Sequence, residues 1–178
     1  MRSRSIVTIA LSVAIAGAAA VWLRSLEPPP SPAGSLAFLS AAPSLPVTDR
    51  DGKVTDLTDV KGKLLIVHLW ATWCPPCVEE LPALSKFWEK YKGRDDIALY
   101  AISVDKDWKI VDSFRVKNPH DLPLYLDPKA ETAARFGSKQ YPETYIVNKS
   151  GRVLFRIQGP VAWDDPEVMQ RIDQLLSS

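Results

Sequence analysis

The sequence predicts an α/β domain with a mixed central sheet flanked by helices. Three observations carry this. The elements come in the order βαβ and then αββα, which needs both parallel and antiparallel strand pairs. Residues 64–70, LLIVHLW, are apolar except His68, as suits a strand buried on both faces. The turn sequence Asn148-Lys149-Ser150-Gly151 between two extended runs marks a late hairpin. The 178 residues accommodate one ordinary domain and a leader, not two full domains. With 46% hydrophobic and 24% charged residues, wholesale disorder is excluded. A formal net charge of +1 lacks the basic excess of a nucleic-acid binder.

The chain opens on residues 6–23, an uncharged stretch of 18 residues. As a helix it spans about 27 Å, close to a hydrocarbon core of ~30 Å. Arg2 and Arg4 precede it and predict a cytoplasmic N-terminus with the remainder across the inner membrane, as a single-pass protein. A cleaved signal peptide competes, because residues 16–20 are small; the apolar run continues through Trp22, which favours an uncleaved anchor over residues 1–26. Residues 27–35, EPPPSPAGS, hold four prolines in nine positions and read as a stiff spacer. The folded domain is placed at 36–178. Arg2, Arg4 and Arg24 are the only charged residues in the leader; setting them aside from the 22 basic residues leaves 19 against 21 acidic, a slightly acidic body.

Within the domain, residues 49–53 (DRDGK) are a turn between short strands. Residues 75–91 form a helix with Val78, Leu81, Leu84, Trp88 and Tyr91 on one side. Residues 97–104 are the next strand, 107–117 a helix ended before Pro119, and 124–126 a short extended piece. A helix over 128–136 is stopped by Gly137. The hairpin joins 143–147 to 152–158. Asp165 caps a last helix with Pro166 at its first position, running to about Leu176.

The chain has two cysteines, Cys74 and Cys77, three apart. Such a pair closes too short a loop to serve as a staple, which points to chemistry. A zinc site would need both pairs of its ligands from Cys74, Cys77, His68 and His120, the whole supply of those residue types, and is set aside; no metal is expected. LWATWCPPC puts Cys74 where a buried strand gives way to a helix. The free N–H groups and positive dipole end there favour a thiolate, so Cys74 is the expected nucleophile. Cys77, one turn on, is the expected resolving thiol. Pro75 and Pro76 contribute no N–H, which removes two potential donors to the sulfur and biases the couple toward reduction.

Residues 69–82, LWATWCPPCVEELP, resemble the active-site stretch of the thioredoxin superfamily, with Trp73 before the pair and Pro82 as the helix-kinking proline. Residues 141–147, YPETYIV, resemble the segment carrying that superfamily's cis-proline. The resemblance implies a thioredoxin-like fold and a cis Pro142 facing the cysteines. More narrowly, the chain is similar to the membrane-anchored TlpA/ResA/CcmG (DsbE) group. That resemblance implies an extracytoplasmic or periplasmic reductase in cytochrome c maturation, with protein thiols and disulfides as substrates, apocytochrome c among them, and a membrane thiol protein as electron donor. No cofactor is expected beyond the Cys74–Cys77 disulfide.

Other residues divide between functional and structural readings. Glu80, three past Cys77 on nearly the same helix face, is an expected base, as in similar proteins; Glu79 is a solvated charge. His68 departs from the Asp or Asn of similar proteins and reads equally as a proton relay to Cys77 or a satisfied core histidine. Glu143 reads either as a groove residue that selects partners or as an exposed strand-start charge. Trp73, Pro75, Pro76, Tyr141 and Pro142 make up the remaining docking surface. Trp70, Trp88, Trp108 and Trp163 read as packing and His120 as a loop residue. Rival functions are reduction of a copper-site cysteine pair, disulfide donation, and a redox-inert binding module.

Overall fold

A computed structural model describes residues 42–177 except 45, 61 and 62. The leader, the spacer and the start of the domain lie outside the described residues, as do the expectations attached to them. Among the described residues no helix is long and apolar enough to cross a membrane.

Among the described residues seven strands form one sheet: β1 (Pro46–Asp49), β2 (Val54–Asp56), β3 (Leu64–Trp70), β4 (Ile97–Ser103), β5 (Leu124–Leu126), β6 (Glu143–Val147) and β7 (Val153–Gln158). Their order is β2-β1-β5-β4-β3-β6-β7. The apolar β3 is buried along its whole length, as its composition requires. It pairs in parallel with β4 and antiparallel with β6, which makes the sheet mixed. Among the described residues four α-helices accompany it: α1 (Pro75–Tyr91), α2 (Trp108–Lys117), α3 (Glu131–Phe136) and α4 (Pro166–Leu176). Asp107 and Asp165 cap α2 and α4, each carboxylate accepting a first-turn N–H.

Alternation along β3 divides the core. Ile66 and Trp70 face a cluster shared with Cys77, Leu84 and Phe87 of α1, Val111 of α2 and Ile172 of α4. Leu65, Val67 and Leu69 face the other, shared with Phe136 of α3 and Tyr145 of β6. His68 has the parity of Ile66 and Trp70 and points to the α1 side.

Two helices differ from expectation. The buried stripe of α1 is Cys77, Glu80, Leu81, Leu84, Phe87 and Tyr91, while Val78 and Trp88 are only partly buried. It turns the resolving cysteine and a glutamate inward, ahead of the apolar residues that cement the helix. The helix expected over 128–136 begins only at Glu131. Ala130 sits in the left-handed region at φ 52°, and the Asp127 carboxylate accepts the Glu131, Thr132 and Ala133 N–H groups, so the first helical turn forms there and not at Pro128.

Candidate active site

The end of β3 delivers the chain to the cysteines through Ala71-Thr72-Trp73. Cys74 is the N-cap of α1, with extended backbone at φ −100°, and it is disulfide-bonded to Cys77 across a Cα separation of 5.3 Å. Cys77 is fully buried, whereas Cys74 retains 5% exposure. Both are thus buried, and the little exposure the pair has falls on Cys74. Pro75 and Pro76 fill the first two helical positions without N–H groups, so among the described residues the disulfide-bonded Cys74 sulfur accepts from the Cys77 N–H alone, at 3.3 Å.

Around the pair lies an apolar rim. Trp73 is 63% exposed and meets Tyr141 edge to face at 6.0 Å. The Tyr141–Pro142 peptide is cis, as the resemblance implied. Pro75 and Pro76 are exposed and Pro142 is buried, its carbonyl accepting from Gly159 N–H at 2.9 Å.

Inward of the helix N-terminus, α1 and β3 each contribute a buried ionisable group. Glu80 Oε2 accepts from the Val161 N–H at 2.9 Å and from the Trp163 indole at 3.1 Å. Glu80 Oε1 lies 3.6 Å from His68 Nε2, and neither atom has a hydrogen-bond partner. His68 Nδ1 lies 3.0 Å from the Thr144 hydroxyl, the residue opposite it on β6. Burial pushes Glu80 up to about 7, opposed by its two N–H donors, and pushes His68 down to about 3. At neutral pH the imidazole is therefore uncharged and the carboxyl is poised to gain or lose a proton.

A redox-active pair at a helix N-terminus beside a cis-proline is a fold-and-site combination that can be compared with known proteins. The family model described as AhpC/TSA matches residues 39–156. The chain belongs to the AhpC/TSA family. Among relatives of this AhpC/TSA chain is the thiol-disulfide oxidoreductase ResA of Bacillus thuringiensis subsp. konkukian, 31% identical over 66% of this chain and 68% of that protein. ResA of Bacillus subtilis is 28% identical over 67% and 66%. A solved structure from Chlorobium tepidum, described as a candidate thiol:disulfide interchange protein DsbE, superposes with a TM-score of 0.70 at 27% identity, covering 80% of this chain and 99% of that one. The fold is thioredoxin-like, and the chain is an enzyme of the thiol–disulfide oxidoreductase class.

Within this AhpC/TSA site, Trp73, Pro75 and Pro76 are exposed, Tyr141 is partly buried against Trp73, Cys74, Cys77 and Pro142 are buried, and Glu80 and His68 are buried facing each other. Glu143 is corrected. It pairs with Leu69 on β3 and so points to the sheet face opposite the cysteines. There it is fully buried, its Oε1 accepting from Arg156 Nε at 2.6 Å and its Oε2 3.0 Å from the Tyr145 hydroxyl. It is neither an exposed charge nor a groove residue. Its ion pair fixes the strand that follows Pro142.

Three contributors escape a reading of the sequence alone. Trp163 packs against Phe87, as expected of a core residue, but its indole N–H also serves Glu80. Asp105 accepts from the Thr72 N–H at 2.9 Å and the Thr72 hydroxyl at 2.8 Å, pinning the loop that presents Cys74. Ser103 donates to the same Asp105 carboxylate at 2.6 Å. A buried aspartate just beyond a core strand was the available signal. His120 sits in its loop with its ring edge-on to Trp70.

Proposed function

We propose that this protein is a membrane-tethered reductant of protein disulfides on the extracytoplasmic side of the inner membrane, with the cysteine pair of apocytochrome c as its target. The observation that carries the direction of the reaction is the Cys74 sulfur held by a single N–H, because Pro75 and Pro76 donate none. A poorly stabilised thiolate gives a reducing couple. The leader supports the location, and the resemblance to the TlpA/ResA/CcmG group supports the target.

In the reduced enzyme the Cys74 thiolate attacks one sulfur of a substrate disulfide. A mixed disulfide forms and the first substrate thiolate leaves. Trp73, Tyr141 and Pro142 present the apolar rim on which the substrate backbone rests. The Cys77 thiol then gives its proton to Glu80 and attacks the Cys74 sulfur. The Cys74–Cys77 bond forms, the mixed disulfide breaks, and the second substrate thiolate leaves to be protonated by water. Two electrons pass to the substrate, and a membrane thiol protein restores the dithiol. No organic cofactor or metal enters.

A Cys77→Ser variant tests this reading, since its mixed disulfide at Cys74 has no resolving thiol. Expressed in cells making c-type cytochromes, it should accumulate a thiol-sensitive adduct with an apocytochrome. An adduct only with a copper-site protein would move the target, and a wild-type couple as oxidising as a disulfide donor would reverse the direction.

A further inference from the structure

The buried groups behind the cysteines form a line from Thr144 through His68 to Glu80, hydrogen-bonded at the Thr144 end and open by 3.6 Å at the Glu80 end. All three are at most 4% exposed. Glu80 Oε2 already accepts two N–H donors, so a proton on that oxygen would oppose them; the acid proton belongs on Oε1. The atom facing Oε1 is His68 Nε2, 3.6 Å away. A neutral imidazole carries one N–H and one acceptor nitrogen, so His68 can meet either form of Glu80 by exchanging the two. The group on its far side must then accept in one state and donate in the other. Thr144 Oγ1, 3.0 Å from Nδ1, is a hydroxyl and does both. On α1 the other titratable residues near Glu80 are the exposed Glu79 beside it and Cys77 one turn before it, which is disulfide-bonded here; the segment after β7 presents the Val161 N–H and the Trp163 indole.

We propose that His68 is the tautomeric counterpart of Glu80. When Glu80 is protonated, its Oε1–H points to Nε2 and the Nδ1–H donates to Thr144. When Glu80 is ionised, Nε2–H faces Oε1, the two closing the present 3.6 Å gap to hydrogen-bond distance, and the Thr144 hydroxyl donates to Nδ1. The pair gains or loses one proton while the imidazole stays neutral. This rests on Glu80 accepting the Cys77 proton. The two tautomers belong to the two equilibrium protonation states of Glu80; the change of tautomer is not itself a step of the Cys77-to-Glu80 proton transfer. His68 is thus a positioning residue, acting through Glu80.

The experiment uses the oxidised full-length chain with ¹⁵N-labelled histidine, followed by NMR from about pH 5 to about pH 9. The chain has two histidines, and His120→Gln assigns their signals. The result expected is a neutral His68 that changes from Nδ1–H to Nε2–H in one transition at about 7. The transition should vanish in Glu80→Gln and Thr144→Val and survive in Thr144→Ser. A single tautomer throughout, an imidazolium, or a transition that persists in Glu80→Gln overturns the proposal. The kinetic premise is read apart from this: if Glu80→Gln resolves a mixed disulfide as fast as wild type, the premise fails even where the tautomers switch.

Discussion

Pro76 stands where a second N–H would reach the Cys74 sulfur from the start of α1. Substituting alanine restores that donor at a position already helical. One hydrogen bond to a thiolate contributes about 1–2 kcal/mol, so Pro76→Ala should raise the reduction potential by about 20–40 mV, read by equilibration with glutathione. An unchanged potential would remove the proline argument for a reducing couple. The buried pair gives a second expectation at this scale. Burial carries Glu80 from 4.5 to about 7 and His68 from 6.5 to about 3. Between pH 4.5 and 6.5 the unfolded chain holds a proton on histidine and the folded chain holds it on glutamate, so stability is flat. From 6.5 to about 7 only the folded chain keeps the proton, and stability falls as pH rises; below 4.5 the unfolded chain holds one more, and stability falls as pH drops. Glu80→Gln leaves histidine alone, so its stability should climb by roughly 1.4 kcal/mol per pH unit up to the histidine's unfolded value and then level. His68→Asn leaves glutamate alone, so its stability should decline as pH rises above 4.5. Urea midpoints across this range give all three profiles; parallel curves would show that the pair does not titrate this way.

At the scale of elements, the two loops that meet α1 are held by different devices. The loop after β3 hangs on Asp105, whose two oxygens take both the Thr72 N–H and the Thr72 hydroxyl. An amide at that position keeps one acceptor oxygen for the Thr72 N–H and forces the Thr72 hydroxyl, which now donates, to turn and accept. Asp105→Asn should therefore cost about 1–3 kcal/mol and speed hydrogen exchange at Thr72 and Trp73. Slower mixed-disulfide formation should follow, because Cys74 is two residues further along. Strand β6 hangs on the Glu143–Arg156 pair, on the other face of the sheet. Glu143→Gln should cost about 2–3 kcal/mol, measured by denaturation, and leave substrate choice unchanged. A changed partner preference at constant stability would return Glu143 to the groove. These cases mark where sequence reading stops. Hydropathy and turn residues placed β3, α1 and the hairpin, because those signals are local. Whether Glu143 faces the cysteines depends on its register against Leu69, and that Asp105 reaches Thr72 depends on two strands lying side by side. Neither is encoded within one segment.

Across the whole molecule the sheet separates two duties. Its α1 face carries the disulfide, Glu80, His68 and Trp163, while its α3 face is built from apolar contacts and the Glu143–Arg156 pair. The cysteine motif, its helix and the cis-proline segment were legible because each is a short string with its own chemistry. The line from Thr144 to Trp163 was not, because it joins four elements that are distant in the chain. One connection, residues 159–163, takes part in both halves of the site. Its Gly159 N–H holds the Pro142 carbonyl, and its Val161 N–H and Trp163 indole hold Glu80. The neighbouring connection at Asn148–Gly151 holds none of these groups: the Asn148 side chain accepts from Ser150 and Arg152, and the Gly151 carbonyl accepts from the Ala42 N–H. For anyone wishing to graft a tag or a second module onto this scaffold, these two connections are not equivalent. The hairpin tip can be lengthened without touching the redox chemistry, whereas one residue added after β7 would let go of the proline and the glutamate at once.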